Sequence, residues 1–250
     1  MRLKSAYEHL DLFSGGGSYA LAARNNGIKT VQFVERDQYA QKVLRKNFPG
    51  VPIHDDIKDF NATKFQRPFL CTGSWPCQPF SRAGKQRGKK DDRYLWPEMF
   101  RVIRECKPTW ILGENVIEII TVALDEVLTD LEKEGYSCRT FIIPACAVQD
   151  MRHRRDRVWL VGHSNCKSFN MLQHESSTKG SEEVASKRIP QFSNASSNQN
   201  WMQRTRQISE CGVDRIANGT ASRLDRMRVI GNAIVPQVAS EIIRAMVRSS

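Results

Sequence analysis

Long hydrophobic runs are missing from the sequence. No stretch of its 250 residues approaches the roughly 18 apolar residues that a membrane-spanning helix requires, and the opening MRLKSAYEHLDLF lacks a basic region followed by a long apolar one. Neither a membrane span nor a secretory leader is expected. Paired cysteines are missing too. The seven present (71, 77, 106, 138, 146, 166, 211) are odd in number and contain no C-x-x-C spacing, which argues against a disulfide framework or a zinc site and points to a reducing compartment. There is no internal repeat and no G-x-G-x-x-G. Acidic residues are in deficit, with 27 Asp and Glu against 38 Lys and Arg and a net charge of +11. That balance suits a polyanionic partner such as nucleic acid, although a solvated basic face gives the same count.

What is present is an alternation. Short β-branched runs predict strands at 9–13, 30–35, 68–73, 109–114, 138–143 and 157–162. Helical spacing of apolar positions covers 19–26, 38–48, 96–106 and 122–135, with Gly135 as the stop. This is the pattern of an α/β domain with a largely parallel sheet and right-handed crossovers. From residue 163 to about 220 Ser, Asn, Gln, Lys and Glu dominate and apolar anchors are few, so a loop-rich module is expected. RLDRMRVIGNAIVPQVASEIIRAM then reads as two helical pieces broken at Gly231 and Pro236, the second burying Val238, Ile242, Ile243 and Met246. Three parts result: 1–162, 163–221 and 222–250.

Several stretches carry candidate chemistry. DLFSGGGSYALA puts three glycines between a strand and a helix, where the backbone can approach a ligand closely; an ordinary tight βα turn has the same form. Glu35 ends the second strand 20 residues beyond Gly15, the place where an acidic side chain accepts hydrogen bonds from ribose hydroxyls. Asp56 and Ile57 could hold an adenine, or Asp56 is a helix cap or surface carboxylate. In GSWPCQPFS, Pro76 and Pro79 restrict the backbone on both sides of Cys77; a lone thiol is otherwise most often a small buried hydrophobe. The following SRAGKQRGKKDDR brings Ser81, Arg82, Lys85, Arg87, Lys89 and Lys90, a run that binds phosphates and favours a thiolate, or simply faces solvent. Glu114 and Asn115 end an apolar strand. His153, Arg155 and Arg157 stand at alternate positions before another and so share a face, to contact phosphate or base or to guard a strand edge. Strand carboxyl ends in a parallel sheet converge on one crevice, so Cys77, Glu114 and the glycine turn could meet there.

Taken in order, DLFSGGG, WPCQPFS, ENV, HRRDR and RLDRMRVIGNAIVPQVA resemble the five motifs of the DNA cytosine-C5 methyltransferases. SWPCQPFS and DRYLWPEMFRVI are similar to phage and prophage members in particular. The resemblance implies a Rossmann-like S-adenosylmethionine-dependent methyltransferase fold: a seven-stranded, mostly parallel sheet with helices on both faces and a small target-recognition insertion at 163–221. It implies Cys77 as the nucleophile on C6 of a flipped cytosine, Glu114 at the N3 edge, and Arg155 with Arg157 at the pyrimidine carbonyl. It places Phe13, Gly15 and Gly17 at the methionine end of the cofactor, Glu35 at its ribose, Asp56 and Ile57 at its adenine, and Pro76 beside both cofactor and base. It gives Asn232 a supporting place in the pocket and makes Ser81 to Arg93 the candidate loop for closing over the base.

Double-stranded DNA is the partner so implied, with a cognate restriction endonuclease where such an enzyme belongs to a restriction-modification pair. A monomer in the cytoplasm of a bacterial or phage-infected cell is expected. Two features depart from the family pattern: His153 stands where Gln is frequent, and Arg36 where many members place an aromatic ring against the adenine. An RNA cytosine methyltransferase on the same scaffold and a catalytically weak DNA-binding relative are the alternatives. The Cys-Phe-Thr signature of compact RNA-acting relatives is absent.

Overall fold

The computed structural model describes residues 7–76, 94–148, 155–164 and 233–250. In chain order the elements are β1 (Glu8–Leu12), α1 (Ser18–Asn25), β2 (Lys29–Val34), α2 (Gln38–Asn47), β3 (Ile53–His54), β4 (Leu70–Gly73), α3 (Trp96–Cys106), β5 (Trp110–Asn115), α4 (Ile119–Val122), α5 (Leu124–Lys133), β6 (Ser137–Pro144), β7 (Asp156–His163) and α6 (Pro236–Arg248). The strands make one sheet in the order β3-β2-β1-β4-β5-β7-β6. The ladders joining β3, β2, β1, β4 and β5 are parallel; β7 runs antiparallel to both β5 and β6. Strand order reverses between β1 and β4, so the crevice above their carboxyl ends is the expected ligand position of an open α/β sheet.

The central strands are buried on both faces, which is why they read as near-continuous apolar runs. Side chains alternate between two cores. Leu10, Leu12, Cys71 and Ile111 join Trp96, Met99, Ile103 and Leu131 on one face. Leu70, Trp110, Leu112 and Trp159 join Tyr19, Ala22 and Ala23 of α1 and Val238, Ala239, Ile243 and Met246 of α6 on the other. Removing an aliphatic or aromatic side chain of this kind from water stabilises the fold by about 1.5–3 kcal/mol each. The β1 positions facing the second core are His9 and Asp11, both fully buried. His9 bonds Thr30 Oγ1 at 2.9 Å and Thr72 Oγ1 at 2.8 Å, and Thr72 donates to Asp11 Oδ1 at 3.0 Å. Three adjacent strands are thereby tied by side chains as well as by their ladders.

Helix ends follow their local chemistry. Asp37 caps α2, its Oδ1 accepting from the backbone of Tyr39 and Ala40. Pro236 opens α6 rather than breaking it, because a missing N–H costs nothing at a first helical turn; the preceding piece around Gly231 lies outside the described residues. Ile242, expected in the core, packs only at its margin. Helix α6 is fastened to α1 through Asn26, whose Nδ2 donates to Ser240 O at 3.1 Å and Ser240 Oγ at 3.0 Å. The helix expected over 122–135 is α5, which starts at Leu124 because Ala123, with φ −148°, separates it from the short α4, a helix the sequence pattern did not indicate. The short β3 had no counterpart among the expected strands.

Candidate active site

The glycine turn follows β1 and is strained where it meets the crevice. Phe13 has φ 53°, uncommon outside glycine, while Gly15 and Gly17 adopt φ 53° and 87°. Gly17 is required on a second count: a Cβ there would lie 2.5 Å from Phe48 Cε2 and 2.9 Å from Leu44 Cδ2. The turn is clipped to the end of β2 by Glu35. Its Oε2 accepts from Gly15 N and its Oε1 from Asp37 N, each at 2.7 Å. Burial pushes the Glu35 carboxyl up, and these main-chain donors pull against that rise. Each carboxylate oxygen retains acceptor capacity for a ligand hydroxyl.

Beyond β3, Ile57 is buried and Asp56 half-buried at the crevice rim. Arg101 of α3 braces this loop, donating through Nη2 to Ile57 O at 2.6 Å and through Nη1 to Phe60 O at 2.8 Å, while Glu98 and Glu105 hold the guanidinium. Arg36 reaches Asp56 only at 4.0 Å with its side chain 84 % exposed, an arrangement worth little. A cleft of about 530 Å³ opens beside them, with Gln41 on its wall; Gln41 Nε2 donates to Glu35 O and to Asp55.

On the other side of the switch point, β4 leads through Ser74 and Trp75 to a half-buried Pro76. Asn115 Nδ2 donates to Trp75 O at 3.2 Å, so the end of β5 holds the approach to Cys77. Gly113 permits Trp75 to cross β5, since a Cβ there would meet Trp75 Cζ3 at 3.0 Å. Glu114, 6 % exposed, pairs with Arg157, Nε to Oε1 at 3.0 Å. That contact is close but not aligned as a hydrogen bond, and Oε1 has no such partner among the described residues. Burial pushes the Glu114 carboxyl up; the charges of Arg157 and Arg155 and the Ser74 hydroxyl hold it back. Arg155 is itself lowered, by burial first and then by Arg157.

Of the residues singled out in the sequence, Phe13, Gly15, Gly17 and Glu35 meet at the ends of β1 and β2, Asp56 and Ile57 stand beyond β3, and Pro76, Glu114, Arg155 and Arg157 occupy the β4, β5 and β7 side. Cys77, Ser81, Arg82, Lys85, Arg87, Lys89, Lys90, His153 and Asn232 lie outside the described residues. Sequence reasoning missed Tyr19, Ser74, Arg101 and the clamp made by Asn115 Nδ2. Ser74 stood inside the GSWPCQPFS stretch, but nothing local indicated what it touches.

A doubly wound sheet, a strained glycine turn after its first strand and a buried carboxyl paired with arginine define a Rossmann-like α/β protein with a ligand crevice at the switch point. A family model described as C-5 cytosine-specific DNA methylase matches residues 7–217. The chain belongs to that family. Among similar curated proteins, the Type II methyltransferase M.PspPI of Psychrobacter sp. (strain TA137) is 37 % identical over 172 residues, 63 % of this chain and 39 % of that protein. M.HhaI of Haemophilus parahaemolyticus is 32 % identical over 161 residues, 62 % of this chain and 49 % of that protein. The chain thus spans less than half the length of these two relatives. Among solved structures, the S. pombe Dnmt2 methyltransferase shares the fold at TM-score 0.65 and 17 % identity, covering 97 % of this chain and 99 % of that one. An Entamoeba histolytica methyltransferase, EhMeth, aligns at TM-score 0.55 and 19 % identity over 65 % of this chain and 54 % of its own.

Proposed function

We propose that the protein transfers a methyl group from S-adenosylmethionine to C5 of a cytosine in double-stranded DNA. The observation that carries the reading is the shared crevice: the glycine turn with Glu35 opens onto the same sheet edge as the Ser74-Trp75-Pro76 approach and the Glu114–Arg157 pair. The residues fit the cofactor on their own chemistry. A half-buried carboxylate with spare acceptor capacity suits a ribose, and a turn whose Gly15, at φ 53°, has open space where a side chain would stand suits close approach of a ligand. When bound, S-adenosylmethionine supplies an electrophilic methyl group on a sulfonium.

The chain's residues would do the rest. C5 of cytosine is a poor nucleophile, so the Cys77 thiolate adds to C6 and leaves the ring enamine-like at C5. Glu114, with its carboxyl pushed up by burial, gives a hydrogen to N3 as negative charge builds there. Arg157 and Arg155 steady the pyrimidine carbonyl oxygen. Once C5 carries the methyl group, loss of the C5 proton to water, return of the N3 proton to Glu114 and expulsion of the thiolate would restore aromaticity and free the enzyme. Neither C5 nor C6 is reachable this way inside a stacked duplex, so the base is flipped out, with Ser81 to Arg93 as the closing loop. Arg82, Lys85, Arg87, Lys89 and Lys90 would meet phosphates, and 163–221 would read the sequence.

Labelled methyl transfer to unmethylated duplex DNA, with bisulfite sequencing of DNA from expressing cells, tests this and yields the target motif. Methylation of transfer RNA in preference to duplex DNA overturns the substrate, and binding of DNA with no transfer overturns the activity.

A further inference from the structure

We propose that Tyr19 and Ser74 form a hydroxyl relay from the glycine-turn helix to Glu114, positioning its carboxyl group for the base; this rests on the methyltransferase reading above. Tyr19 Oη lies 3.3 Å from Ser74 Oγ, and Ser74 Oγ lies 3.3 Å from Glu114 Oε2. The three residues come from α1, the end of β4 and β5, 55 and 40 residues apart in sequence. Direction follows from the donor inventory. A carboxylate only accepts, so Ser74 gives its single proton to Oε2, and Tyr19 gives its proton to Ser74. Burial, with the nearby Glu114 charge second, keeps the Tyr19 phenol well above its ordinary range, so it stays a donor.

The relay makes the two oxygens of Glu114 unequal. Oε2 is engaged by a hydroxyl, whereas Oε1 has no aligned donor among the described residues and faces the Arg157 guanidinium, with Nε at 3.0 Å. The relay hydroxyl thus fixes the orientation of the carboxyl group from the Oε2 side, while Oε1 faces the Arg157 guanidinium. Charged groups acting on this carboxyl are Arg157 and Arg155 from the β7 side; Asp11 of β1 acts on Tyr19. Both contacts are longer than the usual O–H···O separation of about 2.7–2.8 Å, so each hydroxyl has a moderate effect. The Tyr19 ring is held independently: it is 3 % exposed and packs edge-on against Trp159 at 6.5 Å. Tyr19→Phe therefore deletes the relay oxygen and keeps the packing.

The test is a carbon-13 titration of the glutamate-labelled full chain, with the Glu114 signal assigned through Glu114→Gln. Hydrogen bonding to the charged form lowers a carboxyl pKa. Ser74→Ala should therefore raise the Glu114 midpoint by about one pH unit, tenfold in its dissociation constant, and Tyr19→Phe by about half as much. The double variant should match Ser74→Ala, because the hydroxyls act in series. Unchanged midpoints in both single variants, or additive shifts, overturn the relay. If Ser74→Ala fails to fold, Tyr19→Phe alone decides the question. In labelled methyl transfer to unmethylated duplex DNA, both variants should lower kcat by about 3- to 10-fold with KM for S-adenosylmethionine unchanged. Shifted midpoints in the variants, with a wild type that transfers no methyl group, would sink the reaction and leave the relay standing. Unshifted midpoints in the variants of an active wild type would do the reverse.

Discussion

On the β1/β2 side of the crevice, Glu35 is held by main-chain N–H groups, Gly15 and Asp37 at 2.7 Å each, whereas across the switch point Glu114 meets only side chains, Ser74 and Arg157. Both carboxyls are pushed up by burial, yet the opposing forces differ: backbone donors for Glu35, arginine charges for Glu114. Main-chain donors cannot swing away without unfolding the turn, so the first side is a preformed binding surface. Side-chain partners can rearrange as charge develops on a substrate, and the second side keeps one oxygen without an aligned hydrogen bond. On the proposed reading, the contrast separates holding from reacting along the carboxyl ends of one sheet.

If that separation is right, variants on the second side should lose turnover while keeping the cofactor. The largest effect is expected of Cys77→Ala, which should reduce labelled methyl transfer to background with S-adenosylmethionine affinity near wild type by calorimetry. Retained turnover would remove Cys77 as the nucleophile. Glu114→Gln comes next. It keeps the shape but cannot deliver an acid proton, and should lower kcat by about 10²–10⁴-fold, again with cofactor affinity preserved; a loss seen mainly in cofactor binding would break the comparison.

The first side should show the opposite. Glu35→Ala removes a charged acceptor from two backbone donors, and with about 1.5–3 kcal/mol for such a bond it should weaken cofactor binding by roughly 10- to 100-fold and lower Tm. Normal cofactor affinity in that variant would count against the ribose assignment.

The smallest effect lies beneath the crevice, in the polar ties of β1. His9 is fully buried and its pKa is lowered to about 3 from 6.5 by burial. Its folded-state pKa being depressed, the unfolded chain binds the proton first; stability is fully present above pH 6.5 and is lost as pH falls toward 3. The slope is about 1.4 kcal/mol per pH unit from this group, or about 2 kcal/mol between pH 6.5 and 5. Glu35 and Glu114 act with the other sign, since their folded-state pKa values are raised: what they contribute is present at low pH and lost as pH rises through those values. Urea unfolding of wild type and His9→Gln across this range should show a steeper acid loss in the wild type, and parallel curves would refute the His9 account.

Local signals made much of this legible. Alternating β-branched runs and helical spacing found most elements because the central strands are buried on both faces and the helices carry one apolar stripe each. They missed β3, two residues long and only half-buried, because pairing with β2 rather than its own composition makes it a strand. They missed α4, a single turn of four residues, because so short a helix leaves no apolar period to read. In the site, Glu35, Glu114 and the arginines were visible as residue types at strand ends. Their partners were not: Tyr19 meets Ser74, and Arg101 meets Ile57, across sequence separations of 55 and 44 residues, so their roles exist only once the sheet is assembled.

The clasp between Asn26 and Ser240 joins positions 214 residues apart. During synthesis, the apolar flank of α1, with Tyr19, Ala22 and Ala23, emerges early and has no permanent cover until residues 236–248 leave the ribosome. Vectorial folding therefore leaves the helix after the glycine turn incompletely covered until late in synthesis: α1 waits for α6, and a nascent chain arrested before α6 would expose a sticky surface beside that turn.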